Sequence, residues 1–166
     1  MKKIIISIVC VFYFILTITV TYILLSYNKY NIAEFKNSYL LTLKENTKEY
    51  NSSELLLIKK NSNVKENDKI FYYNKNNKGT EVKVGQVKKV DEKNQTIVLD
   101  DELVLTEENI LGTIAQTTAY PVLGTIHNIL TSRIGYLIAI ILPMLVAFIY
   151  EIYAITKEIK NKWRKK

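Results

Sequence analysis

Apolar residues are concentrated in two long runs, one near each end of the chain. Residues 4–26 include no charged side chain, and residues 134–150 are likewise uncharged until Glu151, after which the apolar pattern resumes to Ile155. A helix needs about 20 predominantly apolar residues to cross the hydrocarbon core of a bilayer. Both runs therefore predict transmembrane helices, and the polar stretch between them has the size of one small domain.

The first run admits a second interpretation, because a secretory signal peptide also begins with basic residues and an apolar segment. The apolar region of a cleaved signal has about 7 to 15 residues and ends at a small-x-small site. This run is longer, and the first alanine of the chain is Ala33. We expect an uncleaved anchor, in which the single cysteine, Cys10, is an ordinary apolar filler.

The segment between the runs has the pattern of short strands joined by tight turns. Stretches such as ELLLIKK, KIFYYNK and TIVLD alternate with the turn clusters NNKG (76–79) and DEKNQ (91–95). The alternation of valines in TEVKVGQVKKV slips once near Gly85, which indicates a β-bulge. The pattern predicts about five antiparallel strands between roughly Glu54 and Thr118, whereas the segment before Glu54 is ambiguous between helix and strand.

The expected fold is mainly β, a small antiparallel domain flanked by two transmembrane α-helices. The expected boundaries are an N-terminal anchor over residues 1–27, a β domain over 28–132, a second transmembrane helix over 133–156 and a basic tail over 157–166.

Charge is unevenly distributed along the chain, which carries a formal net charge of +7. Between Tyr27 and Ser132, 14 Lys stand against 14 Asp and Glu, so the predicted domain is neutral. The basic excess flanks the two apolar runs, and such flanks mark the cytoplasmic side of a membrane. We therefore expect both termini in the cytoplasm and an extracytoplasmic domain. Nucleic acid is not an expected partner, because it requires a basic face on the folded domain.

Two residues of the C-terminal segment have simple explanations in a membrane. Trp163 lies among the terminal basic residues, where aromatic and cationic side chains anchor helices at the membrane border. Pro143 lies inside the second run, where it predicts a kink whose freed carbonyl is satisfied locally.

An ordered series of short motifs extends from the predicted domain into the second run. The series ILG, YPVLG, LTSRIG, LP and YE resembles the end of the signal peptidase I family, in its archaeal and endoplasmic-reticulum-like branch. Upstream, SELLLIKKNSNVKENDKIFYY resembles that family's strand pair, with Asp68 kept and Asn67 where Gly is usual. The resemblance covers residues 54–151. The matching positions in the second half are Ile110, Leu111, Gly112, Pro121, Leu123, Gly124, Leu130, Ser132, Gly135, Leu142, Pro143, Tyr150 and Glu151.

The resemblance implies a membrane-anchored serine protease that removes leader peptides outside the membrane. Such chemistry needs a Ser nucleophile, a Lys or His base and oxyanion donors. Counting back from Leu55 places the family's nucleophile position at Glu45, and no S-M-x-P motif occurs in the chain. The base position falls at Gly85 in one register, which we prefer, and at Lys88 in the other.

Further candidates have weaker support. Asp100 and Asp101 lie where the family has an acidic third partner, but they have no His to orient. His127, the only histidine, falls in the link before the second run and is interpreted as an interfacial polar residue.

A substitute dyad is the remaining route to catalysis. It would pair one of two serines with one of three lysines, and the lysine would need a desolvated site and a lowered pKa. The candidates are Ser52, Ser53, Lys59, Lys60 and Lys83. No catalytic residue is assigned, and no cofactor or metal is expected, because the sequence has no Cys/His cluster and no Gly-rich phosphate loop.

The sequence thus predicts a signal-peptidase-like membrane protein that acts by binding and not as an enzyme. Its expected partners are the membrane lipid bilayer and a secreted or surface polypeptide, with a role in export or in surface-protein or pilus assembly. The alternatives are an active leader peptidase with a rearranged Ser/Lys site and an unrelated double-spanning adaptor.

Overall fold

The computed structural model describes residues 2–60, 63–76, 79–91 and 94–163. It divides into two compact units, one made of residues 1–20 with 129–166 and the other of residues 21–128. The α-helices are α1 (Lys2–Leu25), α2 (Leu123–Thr131), α3 (Arg133–Tyr136) and α4 (Leu142–Trp163). The strands are β1 (Ala33–Glu34), β2 (Ser38–Leu41), β3 (Leu55–Lys59), β4 (Lys69–Asn76), β5 (Gly79–Asp91), β6 (Thr96–Leu99), β7 (Val104–Thr106), β8 (Ile110–Thr113) and β9 (Thr117–Tyr120).

The first unit is helical. A π-helical segment, Leu137–Ile141, joins α3 to α4, so that one long helical rod follows α2. Two helical segments, Ser7–Leu25 and Arg133–Asn161, are long and apolar enough to cross a membrane. Only 6% of each is buried, whereas the core helix of a water-soluble protein of similar composition is mostly buried.

The second unit contains two antiparallel sheets. The first has the strand order β1-β2-β3-β9 and the second β7-β6-β5-β4-β8. Each sheet contributes to a core of apolar side chains, and β4 belongs to both cores because side chains alternate along a strand. Phe71 packs in one core with Leu56 and Ile58, whereas Ile70 and Tyr72 pack in the other with Val87 and Leu99.

The predicted antiparallel β domain is present, but the description of the chain as mainly β is only partly right. About 31% of the residues are in strands and 44% in helices, because α1 and the continuous helical segment over residues 133–163 together contain more residues than the nine strands. The segment that the sequence left ambiguous contains β1 and β2, which pair with each other, and β2 also pairs with β3.

The segment ENILGTIAQTTAY, at the end of the domain, contains two strands, β8 and β9. Short 3-10 turns at Glu107–Asn109 and Ile114–Gln116 interrupt the segment. β8 pairs with β4 in the second sheet, and β9 pairs with β3 in the first. The chain therefore crosses from one sheet to the other at this point.

The two predicted turns lie between paired strands. Asn76 pairs with Gly79 across the first turn, and Asp91 pairs with Thr96 across the second. Residues 77–78 and 92–93 of these turns lie outside the described residues. The predicted irregularity of β5 is also present, although it lies after Gly85, between Val87 and Lys89 on the side of β6.

Two helical features were not predicted. The link before the second span is the nine-residue helix α2, and α4 continues to Trp163, beyond the expected end at residue 156. The polar segment after residue 156 is compatible with a helix because Lys and Glu, which predominate in it, are good helix formers.

Candidate functional site

Strand β5 has one open edge. Residues 79–86 of the strand pair with β4, and β6 pairs with residues 87–91 on the other side. On the side of β6, residues 80–86 therefore have no paired strand, because β6 ends before it reaches them.

The direction of the backbone groups on this edge follows from one hydrogen bond. The Val87 amide donates to the Asp68 carbonyl at 2.8 Å, toward the side of β4. Backbone groups alternate in direction along an antiparallel strand, so the N–H and C=O of Val82 and Val84 point away from β4. Within the described ranges, no backbone hydrogen bond outside the helices and sheets involves Val82 or Val84. Gln86, which lies on the same side, has its carbonyl bonded to the Asp100 amide at 3.0 Å.

A groove runs along this edge, between residues 80–86 and the irregular segment 43–49. It consists of three adjoining cavities of about 240, 190 and 260 Å³, which share lining residues from one to the next. Glu81 and Val82 belong to the first and second cavities, and Thr47 and Val84 belong to the second and third. We call this feature the β5 groove.

The outer wall of the groove is held by short-range polar contacts. The Thr47 hydroxyl accepts from the Tyr50 amide at 3.0 Å, and the Asn46 side chain accepts from the Ser52 amide at 2.8 Å. Lys69 of β4 donates to the Glu49 carboxylate and lowers the pKa of that group. These contacts keep the wall in place without backbone pairing to Val82 or Val84.

The first cavity has an apolar floor and a polar rim. Ile32 and Leu41 are buried beneath it, and Tyr27 and His127 line one side, with 3.3 Å between the Tyr27 hydroxyl and His127 Nε2. Burial lowers the pKa of His127, so its neutral form is favoured near neutral pH. His127 was expected to be an interfacial polar residue, and the structure places it half-buried in this cavity wall.

Glu45 and Gly85, the positions to which the predicted resemblance assigns the nucleophile and the base, both line the groove. Glu45 lies in the second cavity and Gly85 in the third. Glu45 is exposed. The two positions thus belong to one continuous surface feature, although neither carries a hydroxyl nucleophile or a general base of the kind that the pattern requires.

A side chain at Gly85 would crowd its neighbours in the second core. A Cβ at this position would lie 2.7 Å from Leu99 Cδ1 and 3.0 Å from Tyr72 Cε1, which are atoms of the second core. A residue with a side chain here would point into that core. The alternative position, Lys88, is exposed and lines a different cavity with Glu66 and Glu102.

The acidic candidates lie in the turn between β6 and β7, and neither lines the groove. The Asp101 carboxylate accepts from the Leu103 amide at 3.3 Å, and Asp100 uses its backbone amide to bond Gln86. Both aspartates are exposed and lie between β6 and β7. They cap a turn of the second sheet.

The substitute dyad is not assembled among the described residues. Lys60 bonds Glu34 at 2.6 Å and lies over the Tyr39 ring, and Lys83 pairs with Glu81 at 3.5 Å. The structure records no contact of Ser52 or Ser53 with a lysine in the parts of the chain that it describes. Lys59 is exposed at the end of β3.

Sequence reasoning missed the open edge because it depends on which neighbour covers each half of β5. The length of the strand was the available signal, since its 13 residues exceed the four of β6. Asn67, where the family pattern has Gly, adopts φ 69°, a left-handed conformation that Gly adopts freely and Asn tolerates.

No protein family, curated protein or solved structure matches the chain. The resemblance to signal peptidases therefore stays a prediction that rests on the order of the short motifs. The described residues include no group of three or more His, Cys, Asp or Glu arranged to hold a metal ion.

Proposed function

We propose that this chain is a two-pass membrane protein whose extracytoplasmic domain binds an extended secreted or surface polypeptide as an added strand along β5, without cleaving it. Both termini lie in the cytoplasm. The observation that carries the proposal is the open edge of β5 inside a groove, with the backbone groups of Val82 and Val84 directed into it.

Strand addition uses features that this edge offers. A peptide pairing with a strand edge gains main-chain hydrogen bonds, and pockets beside the edge receive alternate side chains. Neighbouring strands lie about 4.8 Å apart, and every second residue of the edge presents both a donor and an acceptor. Val82 and Val84 supply two such residues, and the cavities on either side of them supply space for the side chains of the peptide.

The chemistry of the groove favours binding over cleavage. The carboxylate of Glu45 is a poor substitute for a serine hydroxyl, because forming a mixed anhydride from an amide is far less favourable than forming an ester. The lysines that come closest to the candidate serines in sequence are exposed or paired with carboxylates. A lysine serves as a general base where burial removes it from water, and these side chains are exposed. An accessory role in export or in surface-protein or pilus assembly fits such a binding protein.

A strand-forming peptide tests the proposed binding mode. The full-length protein in nanodiscs is mixed with a fluorescent decapeptide of alternating Thr and Val with blocked ends, and binding is followed by anisotropy. We expect saturable binding that is lost when alternate peptide amides on one edge are methylated, because methylation removes the donors needed for pairing.

Two variants of Val84 distinguish the contribution of its backbone amide to binding from that of its side chain. Val84→Pro removes the amide directed into the groove and leaves the ladder with β4 intact, whereas Val84→Ala keeps the amide. Loss of binding with Val84→Pro and retention with Val84→Ala support strand addition. Equal binding by both variants, with circular dichroism showing that both are folded, would refute it.

The proposed topology has its own test. Protease added to intact cells or protoplasts is expected to remove the domain and spare the basic C-terminal segment. Digestion of the C-terminal segment with protection of the domain would reverse the orientation.

A further inference from the structure

Helix α2 turns one face toward the domain and fixes it there. Gly124 is buried on this face, where an added Cβ would lie 2.6 Å from the Ser53 carbonyl oxygen and equally close to the Glu54 backbone. One turn later, Asn128 accepts a hydrogen bond from the Thr42 hydroxyl at 2.9 Å. The orientation of the helix about its own axis is therefore set by backbone contact and a side-chain bond.

The other face is exposed and apolar. It includes the residue that precedes the helix, and we call these four side chains the α2 outer face: Val122 (65% exposed), Leu123 (45%), Ile126 (47%) and Ile129 (58%). The sequence of α2, LGTIHNILT, contains no charged residue. A helix that faces water on one side normally carries charged residues there, so the composition of α2 is unusual for a water-exposed surface.

The turn that begins α2 holds the backbone of Val122 in a strained conformation, with its apolar side chain exposed. Val122 has φ 66°, and the Leu123 amide donates to the Pro121 carbonyl at 2.7 Å, which closes a γ-turn around Val122. A left-handed conformation costs a non-glycine residue about 1 to 2 kcal/mol and is rare for a β-branched one.

The helix continues into the second candidate span with only Ser132 between them. The Ser132 hydroxyl accepts from the Gly135 amide at 3.0 Å and so caps α3. A Cβ on Gly135 would lie 1.8 Å from the Ile129 carbonyl oxygen, so the turn from α2 into α3 is closely packed. Arg133, the first residue of α3, is a side chain suited to the headgroup region.

We propose that the α2 outer face lies in the interfacial region of the lipid bilayer, with its apolar side chains at the boundary between headgroups and acyl chains. Helices that lie on membranes have this form, with apolar residues on one face and a polar opposite side. Lipid is favoured over a protein partner because the face is continuous with a membrane-length helix and ends one residue before it.

Site-specific fluorescence in nanodiscs tests the position of this face. The full-length protein carries Cys10→Ala, which removes the only cysteine, and a single new cysteine labelled with a polarity-sensitive dye. The test positions are Ile126→Cys and, as a second variant, Leu123→Cys. Gln116→Cys is the control, because this residue is exposed in the 3-10 turn before β9. Each labelled protein is exposed to lipids spin-labelled near the headgroup and, separately, to a water-soluble quencher.

We expect dyes at both test positions to be quenched by the spin-labelled lipid about threefold more than the dye at Gln116, and less by the water-soluble quencher. Quenching equal to that of the control at both positions would show a water-exposed face and overturn the proposal. Protection from both quenchers would also overturn it, because that result assigns the face to a protein contact.

Discussion

The hydroxyl of Tyr13 in α1 donates to the carbonyl oxygen of Ile140 in the π-helical segment, at 2.6 Å. The Ala139 carbonyl lies 3.5 Å from the same hydroxyl. Pro143 has no N–H to give to a carbonyl of the preceding turn, which would be that of Ala139 in α-helical geometry. A side chain of one apolar helix therefore bonds the backbone of the other in the π-helical segment that precedes Pro143.

Tyr13→Phe is expected to weaken the pair of apolar helices. Hydrogen bonds between helices in a bilayer contribute about 0.6 kcal/mol on average and up to about 1.7 kcal/mol. We expect a loss in this range, measured by reversible unfolding of the full-length protein in mixed micelles.

The effect should depend on the proline. Pro143→Ala restores a donor for Ala139, so Tyr13→Phe should cost less in that background than in the native chain. Tyr150→Phe, on an exposed side chain of α4, is the matched control. Equal losses from Tyr13→Phe and Tyr150→Phe would show that the bond to Ile140 contributes nothing measurable.

Gly112 is expected to be the least replaceable of the strand glycines. A Cβ there would lie 2.3 Å from the Lys59 carbonyl oxygen, so Gly112→Ala must move backbone. Overpacking of this kind costs about 1 to 3 kcal/mol and sometimes more. At Gly85 the nearest atom, at 2.7 Å, is the end of the Leu99 side chain, which can rotate. Chemical denaturation should therefore rank Gly112→Ala as more destabilising than Gly85→Ala, and the reverse order would contradict the packing between β3 and β8.

Val122→Gly should relieve the strained turn before α2. Glycine adopts a positive φ at no steric cost, whereas alanine in the same conformation keeps the steric strain of its Cβ. We expect Val122→Gly to be more stable than Val122→Ala by about 1 kcal/mol in thermal unfolding, since both truncate the side chain and only one removes the strain. Equal stabilities would mean that the γ-turn does not persist in solution.

The pKa of His127 predicts how stability depends on pH. Burial lowers that pKa below the ordinary value, so the unfolded chain binds a proton more readily than the folded one. The stability that depends on neutral His127 is fully present above about pH 6.5 and is lost as the pH falls below it. Thermal unfolding between pH 7.5 and 5 should show this loss in the native protein, with a smaller slope in His127→Gln.

The carboxylates titrate in a separate range. Lys60 and Lys69 lower the pKa of Glu34 and Glu49, respectively, so the stability that these carboxylates contribute is present above the ordinary value of 4.5 and is lost at lower pH.

For the histidine, an unchanged dependence of stability on pH in His127→Gln between pH 5 and 7.5 would contradict the role assigned to burial of the imidazole.

Local patterns predicted the parts of the fold that depend on neighbouring residues. The two apolar runs and the hairpins at Asn76 and Asp91 could be read from hydropathy and turn residues, since those signals are contained within short segments. The division of residues 110–120 between two sheets could not, because strand partners are set by tertiary packing. Helix α2 was missed because its exposed face is apolar and its polar residues, Asn128 and His127, face the domain.

The candidate site also depends on tertiary packing that local sequence patterns do not contain. Glu45 and Gly85 were selected by resemblance, and their common position along one groove emerged only from the pairing of β5. The open edge itself has no sequence motif, because main-chain groups carry the proposed interaction.

Photo-crosslinking from the β5 groove in living cells tests the central claim most directly. A photoreactive residue replaces Lys44, an exposed side chain of the groove wall, and a control protein carries it at Gln116. We expect Lys44 alone to capture an uncleaved secreted or surface polypeptide, and Val84→Pro to abolish the capture while Val84→Ala retains it. Equal capture from both positions, no capture at all, or a captured leader fragment whose formation is lost in Ser52→Ala or Ser53→Ala would contradict a non-catalytic binding groove.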